Sequence, residues 1–424
     1  MAGPGIRYLH FARELAKRHD VTLAAPERPD AGREPFDSVA APRRFGRFAA
    51  RFDVVVAQRL PPATMHQLAR TGTRTIYDLY APSLVEALAL LGAEGGRVAE
   101  LRYREVRLVQ RLALALGDAF LCASERQRDL WLGALAALGR LDVSRYREDP
   151  AFRGLVAVVP FGLEERRPVA EQPALKGAVP GIEEDARVLL WGGGLWDWLD
   201  PLTVIRAVAE LARSRDDVRL YFPSTRHPGG EQRWTMANRA QELARGLGLE
   251  GRIVVFGERW IPYTERDGYL LGADVGVSAH LDTVEARFAF RTRVLDYLWA
   301  ELPCVLTEGD VLADLLARRG AGVTVGAQDV AGWIDALDRL LGDTDERTRA
   351  RAAARELRTE FEWSRVVEPL EQLVSSQPPS ASRAAPALLA RSYGAGLRAS
   401  LSARGLGGTV AALVGRLVKR QDLA

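Results

Sequence analysis

Apolar and polar positions follow two rhythms along this chain. Short runs of apolar and β-branched residues have the length and make-up of buried strands: VTLAAP at 21–26, DVVVAQ at 53–58, TIYDL at 75–79, AFLCAS at 119–124 and LVAVVPFG at 155–162. Between them, apolar residues recur three and four apart, as in Ile6, Leu9, Ala12, Leu15 and Ala16. That spacing predicts helices over 6–18, 98–116 and 125–139. Strands alternating with helices predict a parallel sheet covered on both faces.

A second series of the same kind opens with RVLLWGGG at 187–194. It continues through predicted strands at 218–224, 252–257, 273–279 and 303–308, with helices at 201–213, 231–247, 264–271 and 291–300. Residues 163–187 separate the two series; they carry charges and prolines and show no period, so they read as a linker. The expected division is an N-terminal Rossmann-like acceptor domain at 1–165, a linker at 166–186 and a donor-binding Rossmann-like domain at 187–350. A helix packing near the cleft follows at 351–374, then a basic tail at 375–424. Each series has a glycine turn ahead of a helix, which predicts a bilobal α/β protein with a cleft between its lobes.

Composition narrows the class only a little. The 424 residues are 47% apolar and 27% charged, as in soluble globular proteins, and the net charge of +3 is too small to argue for a nucleic-acid partner. Both cysteines, Cys122 and Cys304, lie in predicted strands and read as core residues of a cytoplasmic protein. No apolar run reaches the roughly 20 residues that span a bilayer. From Ser375 to Gln421 there is no acidic residue, and seven basic residues lie among Leu, Ala, Val and Gly. Residues 387–421 therefore read either as a peripheral contact with an anionic membrane or as an ordinary tail.

The stretch richest in chemistry is HLDTVEARFAFRTRVLDYLWAELPCVL, 280–306. Arg291 and Arg293 fall in the first turn of a predicted helix, where the dipole disfavours cations. A bound phosphate would remove the conflict, and so would a carboxylate such as Glu285 or Asp282. Asp296, one turn on, is placed to accept from a sugar or ribose hydroxyl. Gly192, Gly193 and Gly194 follow a strand, and their lack of side chains lets backbone approach a ligand. Asp200 before Pro201 reads as a helix N-cap. Trp260, Ile261 and Tyr263 follow a strand end and line either a nucleobase pocket or ordinary core. His280 ends a strand and is the histidine expected at the site; His10, His19 and His66 read as surface. Asp78 in YDLYAP either orients an acceptor hydroxyl or caps a turn.

Taken in order, GPGIRYLHFARELA, YDLYAPSLVEAL, ASERQRDLWLGAL, VVPFG, WGGGLWDWLDP and FRTRVLDYLWAELP resemble bacterial nucleotide-sugar glycosyltransferases of the retaining family-4 type, over residues 1–370. The resemblance implies a GT-B fold with two Rossmann-like domains and a nucleoside-diphosphate sugar as co-substrate. It also implies a hydroxyl acceptor, retention of configuration, and neither cofactor nor metal. It puts Gly3 and Gly5 in a loop facing the donor phosphates. Asp296 matches the second of the family's two glutamates; the first falls on Phe288, with Glu285 nearby, and the family's basic pair after the second glycine turn is missing. Relatives carry a strand ahead of GPGIR, so the first domain is expected to lack its usual first strand, with an internal start codon as the expected cause. Cell-envelope polysaccharide or glycoconjugate synthesis is the expected setting. A catalytically weak binding subunit on the same fold and a nucleotide-sugar epimerase are the alternatives.

Overall fold

The computed structural model describes residues 3–27, 32–170, 173–225, 235–257 and 261–376. Trp260 and the tail at 387–421 lie outside the described residues. The chain forms two compact units. One holds the described residues of 9–160 and those from Val367 on; the other holds those of 161–366 and those up to Tyr8.

In the first unit, β1 (Thr22–Ala25) and β2 (Asp37–Ala40) form a parallel pair. A separate four-stranded parallel sheet runs β3 (Val54–Ala57), β4 (Arg74–Asp78), β5 (Ala119–Cys122), β6 (Val156–Val158). Every residue of β4 and β5 is buried, as expected of strands covered on both faces. The helix Gly96–Leu116 packs Val109, Leu112 and Leu116 toward that core, and the buried Arg140 closes its end by donating to the carbonyls of Leu114, Ala115 and Gly117. The helix Glu368–Ser375 is held by the buried Arg74, which donates to the carbonyls of Leu373 and Ser376.

The second unit is built on one six-stranded parallel sheet. Its strands are β7 (Arg187–Leu190), β8 (Val218–Phe222), β9 (Val254–Phe256), β10 (Val275–Ser278), β11 (Cys304–Thr307) and β12 (Val323–Val325), in the order β12-β11-β10-β7-β8-β9. From β7 the chain winds outward through β8 and β9, then returns to place β10 on the other side of β7. The winding reverses between β7 and β10. In open parallel sheets the crevice at the C-terminal strand ends beside such a reversal is where ligands bind. Asp200 caps the helix Pro201–Leu211, accepting from the Thr203 amide at 3.1 Å and its hydroxyl at 2.6 Å, with Pro201 in the first turn.

Three expectations need correction. The Gly3-Pro4-Gly5 segment is not a loop: it is the first turn of the helix Gly3–Leu15. Proline is at home in a first turn, where its missing N–H has no helical partner to lose. His10, read as surface, is buried, as is Arg7 one turn before it, so the covered face of that helix takes in polar side chains as well as its leucines. The sheet also extends past 308 to β12, whose three residues between Gly322 and Gly326 are too short a run to register as a period.

Candidate functional site

The helix Thr292–Trp299 organises the C-terminal edge of the second sheet. Its first turn and the segments after β7, β10 and β11 bring together most of the residues singled out from 280–306. Arg291 is the N-cap residue, and both terminal nitrogens of its guanidinium are engaged by Glu285, at 3.0 and 2.6 Å. Both side chains are buried. The carboxylate in the chain answers the electrostatic conflict at the helix start. Arg291 and Glu285, expected to face donor phosphates, are thus engaged with each other.

Arg293 has a different environment. Its Nη2 donates to the Gly194 carbonyl at 2.7 Å, and its guanidinium carbon lies 5.0 Å from the centre of the Trp191 ring. Its Nη1 has no partner among the described residues. Burial, with Arg291 beside it, pushes the Arg293 guanidinium down to about 10, which still leaves it a cation at neutral pH. The facing turn is as underused as the arginine. Gly193 is exposed, with φ of +84°, and the backbone N–H groups of Gly193 and Gly194 donate to no group among the described residues. A cation with a spare donor beside two unused amides, at a strand end next to the winding reversal, suits an oxyanion.

His280 follows β10 and is buried, with Nδ1 3.1 Å from its neighbour's Leu281 carbonyl and Nε2 3.8 Å from Asp310. Asp310 caps the helix Val311–Arg319, accepting from the amides of Leu312 and Ala313 at 2.9 and 2.8 Å. Burial, reinforced by Arg291, holds the imidazole below its ordinary range against the pull of Asp310. The imidazole is thereby held toward its neutral form.

Asp296 has one of its two oxygens engaged. It accepts from Arg266 Nε at 3.3 Å, although 38% of its side chain remains exposed. Arg266 also donates to Glu164 at 3.1 Å, and its guanidinium carbon lies 3.5 Å from the Tyr263 ring centre and 4.1 Å from that of Trp299. Tyr263, expected to line a base pocket, is covered by this guanidinium; Ile261 is half-buried before Pro262. Arg166 adds contacts of 2.5 Å to both Glu164 and Asp267, and Trp299 donates to the carbonyls of Glu164 and Arg166 at 3.2 and 2.8 Å. This cluster moors the segment after residue 163 to the sheet's edge.

Asp78 lies in the other unit, buried at the end of β4, where its Oδ1 accepts from the Tyr80 amide at 3.3 Å. That is the turn-capping geometry weighed for it. The stacked pair Trp196 and Trp198, 5.2 Å apart, packs against the core of the second sheet. A D-x-D triplet does occur, at Asp343–Thr344–Asp345, and its Asp343 caps the helix Thr344–Leu357. Among the described residues no group of His, Cys, Asp and Glu has metal-holding geometry. None of their helices is long and apolar enough to cross a membrane.

Sequence reading missed Tyr297, Arg266 and Asp310. Tyr297 stands four residues after Arg293 and so shares its helix face, a signal the sequence does carry. Asp310 before an apolar helix is an N-cap signal. Arg266 had none, because its partners come from three separate segments.

Known proteins agree with this architecture. Residues 186–343 match the family described as Glycosyl transferases group 1. A D-inositol 3-phosphate glycosyltransferase of Corynebacterium diphtheriae is 28% identical over 199 residues, covering 46% of this chain and 43% of that protein. Another of that description, from Stackebrandtia nassauensis, is 26% identical over 237 residues, covering 54% and 49%. The matches thus take in less than half the length of these curated relatives. Anabaena Alr3699/HepE, solved in complex with UDP and glucose, superposes with a TM-score of 0.63 at 14% identity, over 89% of this chain and 96% of that one. WaaG, a glycosyltransferase involved in lipopolysaccharide biosynthesis, gives 0.60 at 16% identity, over 89% and 97%. The chain carries a glycosyl transferases group 1 domain at residues 186–343, on an α/β fold of two Rossmann-like units shared with GT-B glycosyltransferase structures.

Proposed function

We propose that this protein transfers a sugar from a nucleoside-diphosphate sugar to a hydroxyl acceptor, with retention of anomeric configuration. The observation that carries the reading is Arg293: a cation with an unmet donor, set against the exposed Gly193 and the unused amides of Gly193 and Gly194 at the reversal of the sheet. In such a transfer the bond from anomeric carbon to phosphate oxygen breaks, and negative charge grows on the departing diphosphate. A fixed cation and aligned amides stabilise that charge most where water is excluded. Arg293 and the amides of Gly193 and Gly194 would hold the diphosphate. The acceptor oxygen bonds to the same face of the sugar, and its proton passes to the leaving phosphate. Arg293 takes over the duty of the basic pair that the resemblance leads one to expect after the glycine turn. Asp296, with Arg266 on its Oδ1, would accept a donor hydroxyl through the acceptor capacity that remains. UDP and glucose in Alr3699/HepE support a nucleotide-sugar donor, and the lipopolysaccharide role of WaaG supports a cell-envelope setting.

The test is a panel of UDP-, GDP- and ADP-sugars incubated with the full chain while free nucleoside diphosphate is measured. Release from one donor, rising when a hydroxyl acceptor is added, is the expected result. Binding without release would favour a non-catalytic subunit, and an altered sugar on an intact nucleotide would favour an epimerase. Failure to bind any member would remove the donor reading.

A further inference from the structure

The Tyr297 hydroxyl occupies an opening in the sheet. The ladder between β7 and β10 has only two paired positions, Val275 with Leu189 and Gly276 with Leu190, and stops where the strands part. Beyond that point the carbonyls of Leu190 and Val277 would face an empty gap. The hydroxyl fills it, 2.9 Å from the Leu190 oxygen and 2.8 Å from that of Val277. With one proton it donates to one of them, and its oxygen accepts from the Gly192 amide at 2.7 Å. Burial pushes the phenol well above its ordinary range, so the proton stays on.

Room for this arrangement is made by two glycines. A Cβ on Gly276 would come within 2.7 Å of the Tyr297 ring, and one on Gly192 within 3.2 Å. The same helix face carries Arg293 one turn earlier. The helix therefore grips the glycine turn at both ends, Tyr297 on the Gly192 N–H and Arg293 on the Gly194 C=O. With both ends tied, the Gly193 and Gly194 amides donate to no group among the described residues, and Gly193 between the two ties is exposed.

We infer that Tyr297 is a positioning residue: its hydroxyl sets the direction of the Gly193 and Gly194 amides and thereby tunes affinity for the diphosphate. The inference rests on the donor reading above for its ligand, but its geometric half can be tested without one. Single-residue hydrogen exchange on the wild-type chain should find the Gly192 amide protected and the Gly193 amide unprotected. An unprotected Gly192 amide would overturn the inference whether or not the protein binds nucleotide.

The functional half uses Tyr297→Phe, which keeps the ring. Gly192 protection should be lost in it, and the dissociation constant for UDP, or for whichever nucleoside diphosphate the wild type binds, should rise about tenfold. That rise corresponds to about 1.4 kcal/mol. Donor KM should rise by a similar factor with kcat changed less than threefold, a split that a general loss of stability would not produce. Unchanged UDP affinity in folded Tyr297→Phe would overturn the inference. If that variant does not fold, Gly276→Ala pushes on the ring from the opposite side, and it should likewise expose Gly192 to exchange and raise KM; normal values for both would overturn the inference. A wild type that binds no nucleoside diphosphate refutes the donor reading, and the wild-type exchange pattern then decides the geometric claim alone.

Discussion

Two corners of the same crevice treat their arginines in opposite ways. At one, Arg291, Glu285, His280 and Asp310 are buried, and the arginine meets a carboxylate through two hydrogen bonds, with only its Nε lacking a partner among the described residues. At the other, Arg293 has one hydrogen bond to a carbonyl, one ring beneath it and one terminal nitrogen without a partner. Both arginines belong to the FRTR run and are two residues apart. A buried charge met by an opposite charge is scaffold, because removing its partner leaves an uncompensated ion. A charge left short of partners beside open amides is a place where a ligand can complete the set. Local pairing, more than residue type, separates structure from function here.

The largest effect should come from breaking the paired corner. Glu285→Ala leaves the Arg291 guanidinium buried and alone, and the expected loss is about 3–5 kcal/mol in chemical denaturation. Removing both charges, as Glu285→Leu with Arg291→Met, should recover most of that loss, since well-packed apolar pairs often match a buried ion pair. If the double variant is as unstable as the single one, the pair does more than satisfy itself, and the contrast between the corners weakens.

The underpaired corner should respond in activity. Arg293→Met removes a cation whose burial already works against its charge, so unfolding free energy should stay within about 1 kcal/mol of the wild type or rise. Turnover of the nucleotide sugar should fall about 10²–10³-fold, as when one preorganised donor to a developing oxyanion is lost. A large stability loss with turnover kept in the folded fraction would assign Arg293 to the scaffold with Arg291.

Much of this was legible in the sequence, and the parts that were not have physical reasons. The alternation of strands and helices predicted two α/β units because buried parallel strands are short apolar runs whatever lies around them. Asp200 and Pro201 announced a helix start because capping is local. The choice between a phosphate and Glu285 at Arg291 could not be made from spacing, because it depends on how the helix Val284–Phe288 turns its carboxylate. The partner of Asp296 was hidden for the same reason: Arg266 lies thirty residues earlier and meets it only in the fold. Gly3 and Gly5 misled in the other direction, since a Gly-Pro-Gly string suits a loop and a helix's first turn alike.

The smallest effect concerns a third grouping, between the two extremes in burial. Glu164 and Asp267 share Arg166, and Glu164 also meets Arg266. Burial alone would raise both carboxyls; for Glu164 the pull of Arg266, the Tyr263 hydroxyl and Arg166 outweighs it, and for Asp267 the hydrogen bonds from Arg166 and the Val169 amide do. Both groups therefore titrate lower in the folded chain than in the unfolded one. Groups shifted down in this way add stability above their unfolded values, near 4, and that increment disappears as the pH falls through the lower folded values. Arg166 is 46% exposed, so solvent screens much of its attraction, and Arg166→Ala should cost only about 1 kcal/mol at pH 7. The cost should shrink as urea unfolding is repeated from pH 5 toward pH 3, because the wild type loses the same interaction by protonation. A difference that stays constant across that range would mean Arg166 acts by packing over Trp299, 4.8 Å from its guanidinium carbon, and would place this grouping with the fully buried corner.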